Sequence, residues 1–233
     1  MSWIKNSRDL RKNALVVAAV HSPGALRCAR KIQPGEVDFL EIRVDNFASK
    51  PEVLLPALSS LRVPLIVTVR HPVEGGLHGL TIRQRRDLFA RFLPFATWID
   101  VELRSVEKLA GTVAEARRAG VKLIVSSHHF HSTPSAVRLQ QTIRAAHTAG
   151  ADICKLAALA DSAAALEPML GTLSRQQPVP LSVMGMGRFG KISRLLFAQA
   201  GSILNYGYLD RPNASGQWEA RLLKKRLAEL AEA

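Results

Sequence analysis

The chain is poor in cysteine and in aromatic residues, and it has no long apolar run. Its two cysteines, Cys28 and Cys154, carry no spacing that suggests a disulfide framework or a zinc knuckle, so a reduced, cytoplasmic protein without a metal site is expected. Aromatics make up 6% of the 233 residues. No basic run has aromatics interleaved with it, which weighs against a nucleic-acid surface. No stretch approaches the roughly 20 apolar residues of a membrane span, so no membrane is expected as a partner. The run "ALVVAAV" (14–20) follows basic residues as the core of a leader would. It is at the short limit for one, however, and Asp9 interrupts the basic part, so a buried strand is expected there instead. A dinucleotide glycine fingerprint is missing after this run. So is any linker or break in composition, and a single domain over residues 1–233 is expected.

Acidic residues are also scarce, 19 against 32 Lys and Arg, which leaves a net charge of +13. The excess suggests anionic partners in general. The basic residues are scattered, as in "RDLRK", "RQRRD" and "KKR", and read as solvated faces of helices.

What the sequence does contain is alternation. Short, β-branched apolar runs recur as "ALVVAAV", "VDFLEIRVD", "PLIVTVR", "TWIDVEL", "VKLIVSS", "ADICKLA", "PVPLSVM" and "SILNYGYL". Between them lie stretches with helical spacing, including "TIRQRRDLFARFL", "SVEKLAGTVAEARRAG", "SAVRLQQTIRAAHTAG" and "KISRLLFAQAG". Gly120 and Gly150 end two helices directly before a strand, and Thr133-Pro134 is expected to open another. Strands alternating with helices imply a parallel sheet. Eight such units in one chain of this length predict an α/β fold, a (β/α)8 barrel.

The strands carry charges with a period of two. In "FLEIRVD", Leu40, Ile42 and Val44 alternate with Glu41, Arg43 and Asp45, so the apolar set is expected to meet the helices and the charged set to point into the barrel. Thr68 with Arg70 and Asp100 with Glu102 repeat the theme, and Lys155 shares its face with Ile153, which sends Cys154 the other way. Buried ions are unfavourable unless they pair or meet a ligand. An internal ion-pair network without chemistry is one reading. Polar groups near the C-terminal ends of several strands are the mark of a barrel active site. Desolvation and neighbouring arginines disfavour an ammonium on Lys155, and a neutral amine can attack a ketone to form an imine. His128 lies at the end of the adjacent strand, within a cluster of three histidines, and can serve as base. Arginines can hold a carboxylate. The residues therefore point to imine-assisted proton transfer on a keto acid, followed by either aldol-type cleavage or loss of water. A basic barrel that binds anions or nucleic acid without catalysis is the alternative of a different class.

These segments together resemble the type I 3-dehydroquinate dehydratase family. "EIRVD" resembles its Glu-x-Arg-x-Asp segment, and "TVRHPVEGG" its Thr-x-Arg followed by Glu-Gly-Gly. "SSHHF", "DICKLA" and "MGMGRFGKISRLL" are similar to its histidine, lysine and Ser-Arg segments, and "NASGQW" to its closing loop. The resemblance implies syn loss of water from 3-dehydroquinate, giving 3-dehydroshikimate in the shikimate pathway. It assigns Lys155 as the imine former and His128 as the general acid/base. It places Glu41, Arg43, Arg70, Arg194, Gln217, Asn213 and Met184 against the substrate, with Asp45 in support and Glu74 nearby. It implies no cofactor, and a homodimer. The chain departs from the family pattern at His129, at Asn213 and Ser215 in the closing loop, and at Ala18 and Ala19 in the first strand.

Overall fold

The computed structural model describes residues 14–231. The basic segment ahead of Ala14, on which the leader question turns, lies outside the described residues. Eight strands run in chain order: β1 (Leu15–Val20), β2 (Phe39–Arg43), β3 (Leu65–Thr68), β4 (Trp98–Glu102), β5 (Lys122–His129), β6 (Ile153–Leu159), β7 (Leu181–Met186) and β8 (Leu204–Tyr208). Each coincides with one of the apolar runs. All the ladders are parallel, and they follow the order β7-β6-β5-β4-β3-β2-β1-β8. The seam between the last two strands closes where the Ile203 N–H donates to the Leu181 carbonyl at 2.9 Å. The result is a (β/α)8 barrel built as one domain.

Helices α1 (Pro23–Ala29), α2 (Leu55–Leu58), α3 (Ile82–Phe92), α4 (Ala110–Arg118), α5 (Ala136–Thr148), α6 (Glu167–Leu173), α7 (Gly190–Gln199) and α8 (Ala220–Ala231) follow the strands in turn. Local chemistry fixes their ends. Thr81 and Gln84 form a reciprocal capping box at the start of α3. Gly120 and Gly150 adopt the left-handed conformation, with φ of +73° and +78°, just past α4 and α5. The start of α5 differs from expectation. Ser135, rather than Thr133-Pro134, caps it by accepting the Arg138 N–H, while the Thr133 hydroxyl donates to the Leu159 carbonyl at the end of β6.

The period of two sorts the core into two layers. Leu40, Ile42, Val67, Val101, Val125 and Cys154 face outward and pack beneath the helices. Val17, Phe39, Ile66, Trp98, Ile124, Ile153 and Tyr206 fill the inside of the barrel. That inner apolar plug seals the lower half, so the charged residues of the same face collect above it, toward the C-terminal ends of the strands.

Candidate active site

Lys155 stands on the inward face of β6, one step above Ile153. Its Nζ lies 2.9 Å from Asp100 Oδ2 on β4 and 3.3 Å from Glu41 Oε1 on β2. The amine's nearest charged partners are thus two carboxylates, not the arginines expected from the sequence. The ring of Tyr206 lies under Nζ, 3.7 Å from its centroid. Arg70 is buried just beyond the end of β3. Its Nη1 bonds Asp100 at 2.9 Å, Glu102 at 3.0 Å and Ser126 Oγ at 2.7 Å, and Thr68 Oγ1 donates to Glu41 at 3.0 Å. Burial alone would raise the pKa of Asp100, but Arg70 and Lys155 outweigh it and hold the carboxyl well below its ordinary range.

His128 pairs with Ala157 across the β5–β6 ladder, and Lys155 pairs with Ser126. The histidine therefore sits one inward position above the lysine, on the neighbouring strand. Its Nδ1 lies 2.9 Å from Glu74 Oε2, and its backbone N–H donates to the same oxygen at 3.0 Å. Burial, with Arg70 and Lys155, pushes the imidazole well below its ordinary pKa. When Glu74 is ionised, the neutral ring donates Nδ1–H to it, and the Nε2 lone pair is then free. His129 points to the other face and pairs with Ser127 Oγ at 3.0 Å.

Arg194, near the start of α7, is buried without a carboxylate partner. Its Nε donates to the Tyr206 carbonyl, and its Nη1 to those of Gly185, Gly190 and Gly216, at 2.7–2.9 Å. Nη2 makes no hydrogen bond to the described residues. Burial lowers the guanidinium to a pKa of about 10. An unpaired buried cation at the mouth of a pocket is a ready site for an anion. Gln217 is buried too, against its usual solvated role in a loop. Its Oε1 accepts the N–H groups of Asn213 at 3.0 Å and Ala214 at 3.3 Å, which turns the amide Nε2 loose. Asn213 itself is exposed on the rim, and Met184 is buried in the wall.

One pocket gathers Glu41, Arg43, Arg70, His128, Lys155, Met184, Arg194, Asn213 and Gln217. The lysine, the histidine and the seven residues placed against the substrate thus meet in one place. Two others line it that sequence reasoning undervalued, Glu74 and Tyr206. Glu74 lies in a 3-10 turn, Pro72–Glu74, outside any periodic stretch. The "EGG" segment alone gave a sign of it. Asp45 is not on the inward face of a strand as expected. The chain leaves β2 after Arg43 and turns into a 3-10 helix, Val44–Phe47, which carries Asp45 behind Arg43. There it takes the guanidinium through two bonds, at 3.1 and 2.9 Å, and the Arg70 N–H at 3.2 Å. Arg43 is therefore braced by Asp45 and by the Gly75 carbonyl at 2.9 Å. Among the described residues no group of three or more His, Cys, Asp or Glu side chains is placed to hold a metal. No helix there is long and apolar enough to cross a membrane.

A parallel barrel that collects a lysine, a carboxylate-bound histidine and a free guanidinium at the C-terminal ends of its strands has the make-up of a (β/α)8-barrel enzyme. Known proteins narrow the class. The family model for type I 3-dehydroquinase matches residues 15–232. A 3-dehydroquinate dehydratase of a Hydrogenobaculum species is 34% identical over 184 residues, 77% of this chain and 82% of that protein. Among solved structures, the 3-dehydroquinate dehydratase of Geobacillus kaustophilus aligns with a TM-score of 0.86 at 27% identity, covering 95% of this chain and 92% of that one. The type I enzyme of Clostridium difficile, solved with covalently modified comenic acid, gives the same TM-score of 0.86 at 25% identity, covering 94% and 93%. The chain belongs to the type I 3-dehydroquinase family.

Proposed function

We propose that this protein is a 3-dehydroquinate dehydratase, a lyase of the shikimate pathway that removes water through a lysine imine. The observation that carries the reading is the stacking of His128 directly above Lys155 on adjacent strands, facing the unpaired Arg194 in one pocket. The substrate carboxylate binds Arg194, and Gln217 supplies its amide from the loop that runs past Asn213. Glu41, Arg43, Arg70 and the wall residue Met184 hold the ring. The Lys155 amine, once it has shed a proton, attacks the ketone, and the carbinolamine loses water to give an iminium.

That iminium nitrogen keeps its positive charge between Asp100 and Glu41 and over the Tyr206 ring, so the electron sink forms where the field already favours a cation. His128 Nε2 takes the neighbouring carbon-bound proton, leaving an enamine, and then returns it to the departing hydroxyl on the same face. Water adds to the product imine, and Lys155 is released. The chemistry calls for no metal or organic cofactor. The protein works in the cytoplasm as a homodimer, without nucleic acid or membrane as partner, and sedimentation analysis tests the dimer.

Borohydride reduction in the presence of 3-dehydroquinate, followed by peptide mass spectrometry, tests the reading. A reduced adduct is expected on Lys155, and untreated enzyme is expected to produce the ultraviolet absorbance of the conjugated enone. Neither adduct nor absorbance would sink it. His128→Ala is expected to lower turnover by about 10²–10⁴-fold with the fold retained, whereas His129→Ala and His131→Ala are expected to leave turnover near wild type. Equal damage from either neighbour would reassign the base.

A further inference from the structure

We infer that Arg104, which lies outside the pocket, is a positioning residue that keeps Glu74 a carboxylate and so determines which nitrogen of His128 is free to accept a proton. The inference rests on the reading of His128 as the base.

Arg104 sits in the 3-10 turn Leu103–Ser105 that follows β4. Its Nε lies 3.1 Å from Glu74 Oε1. The other oxygen of that carboxylate, Oε2, takes the backbone N–H and Nδ1 of His128 at 3.0 and 2.9 Å. One oxygen is thus given to the arginine and the other to the base. An ionised Glu74 can only accept, so it fixes the proton of a neutral imidazole on Nδ1 and leaves Nε2 as a lone pair. A protonated Glu74 would donate to Nδ1 instead. The imidazole proton would then sit on Nε2, and the nitrogen facing the pocket could not take a proton.

Burial works toward the unproductive form. Burial pushes Glu74 up to about 7, with Glu102 acting in the same sense, while Arg70, the His128 N–H and Arg104 pull it down. The charged groups facing Glu74 are Arg70 from just beyond β3, Glu102 from β4, His128 from β5 and Arg104. Arg43 reaches only the neighbouring Gly75 carbonyl. Of the cations, Arg70 is already bonded to Asp100, Glu102 and Ser126. Arg104 is the cation in direct contact with the Glu74 carboxylate. Its side chain is half exposed, so it can be replaced without opening the core, and salt can screen it.

The test is kcat against pH on 3-dehydroquinate for wild type, Arg104→Gln, Arg104→Lys and a control, Arg118→Gln, which removes an exposed charge on α4. In Arg104→Gln the acid limb is expected to move up by roughly 0.5–1 pH unit, a loss of about 3–10-fold at acid pH that fades to under about twofold on the alkaline plateau. Arg104→Lys is expected to recover most of the shift, and Arg118→Gln to follow wild type. In about 1 M salt the wild-type limb is expected to move toward that of Arg104→Gln. An unchanged limb in Arg104→Gln, or an equal loss at every pH, would overturn the inference. Wild type that neither turns over nor traps substrate with borohydride would overturn the proposed function, and the inference with it. A trapping, active wild type with an unshifted variant would overturn the inference alone.

Discussion

Arg70 has its guanidinium buried between β3, β4 and β5. It bonds two carboxylates and a serine there, at 2.7–3.0 Å, and a third carboxylate, Glu41, lies 3.8 Å away. Glu102 is shared with Arg85 at 2.6 Å, and Asp100 with Lys155 at 2.9 Å. Truncation of one cation in such a set leaves its partners charged in a low-dielectric interior. Arg70→Met is therefore expected to destabilise the protein by about 3–5 kcal/mol, beyond any effect on binding. Equilibrium denaturation at neutral pH measures it, and a loss under about 1 kcal/mol would show that the remaining ions repartner.

Most of this network was legible from alternation alone, because Glu41, Thr68, Asp100, Glu102, Ser126 and Lys155 each sit on a strand position that the pleat turns inward. Pairing was not legible. Which carboxylate meets Lys155 depends on the stagger of neighbouring strands, and that is why a lysine expected among arginines lies between Glu41 and Asp100. The positions of Glu74 and Asp45 were not legible from the pleat for the complementary reason, and the family resemblance alone pointed to Glu74. Both lie in 3-10 turns past the strand ends, where no period predicts direction.

At the scale of elements, the closing loop and α7 meet through two glycines. Gly216 has φ of +75°, and a Cβ on it would lie 2.4 Å from the Gly187 carbonyl oxygen, while a Cβ on Gly190 would lie 2.8 Å from the Gly216 Cα. This contact brings the Gly216 carbonyl to Arg194 Nη1 at 2.9 Å and holds Gln217 inside. Gly216→Ala is expected to displace the loop. Backbone strain of about 1–3 kcal/mol should appear as a rise in KM of about tenfold or more, with a smaller effect on kcat. Steady-state kinetics separates the two, and an unchanged KM would show that the loop adapts.

Asn213 and Ser215, which the resemblance marks as departures, lie in this same segment, yet its geometry depends on backbone and glycine rather than on those side chains. The start of α5 gives a second test. Because Ser135 accepts the Arg138 N–H there, Ser135→Ala is expected to cost about 1 kcal/mol, whereas Pro134→Ala should cost a few tenths at most. Thermal unfolding of the two variants checks the order. The sequence placed this boundary two residues early because Thr-Pro and Ser are both good starts. Tertiary structure decides between them by giving the Thr133 hydroxyl to Leu159.

For the whole molecule, the buried ions set the response to pH. Burial would raise Glu102, but Arg70 and Arg85 hold it below its ordinary value, and Asp100 is depressed further. A carboxyl depressed in the folded state stabilises above its unfolded pKa, and that contribution is lost as pH falls through the folded value. Stability is therefore expected to drop steeply below about pH 4. The net charge of +13 climbs as carboxylates protonate, and adds self-repulsion.

Between about pH 4.5 and 7 two opposed contributions meet. His128 is lowered by burial, so the folded state binds its proton less readily than the unfolded chain does, and stability from it is lost as pH falls below about 6.5. Glu74, raised by burial to about 7, acts the other way. Its contribution is full below the unfolded value and is lost as pH rises through 7. The two slopes offset each other, and wild type is expected to show a nearly flat Tm across this range. Glu74→Gln removes one of them. The variant, compared with wild type at each pH, is expected to gain in relative stability from pH 4.5 to 8, because wild type alone must ionise a buried carboxyl over that interval. A relative Tm that stays constant across the interval would mean that Glu74 is already ionised at the lower end, held there by Arg104 and the His128 N–H more strongly than burial opposes them.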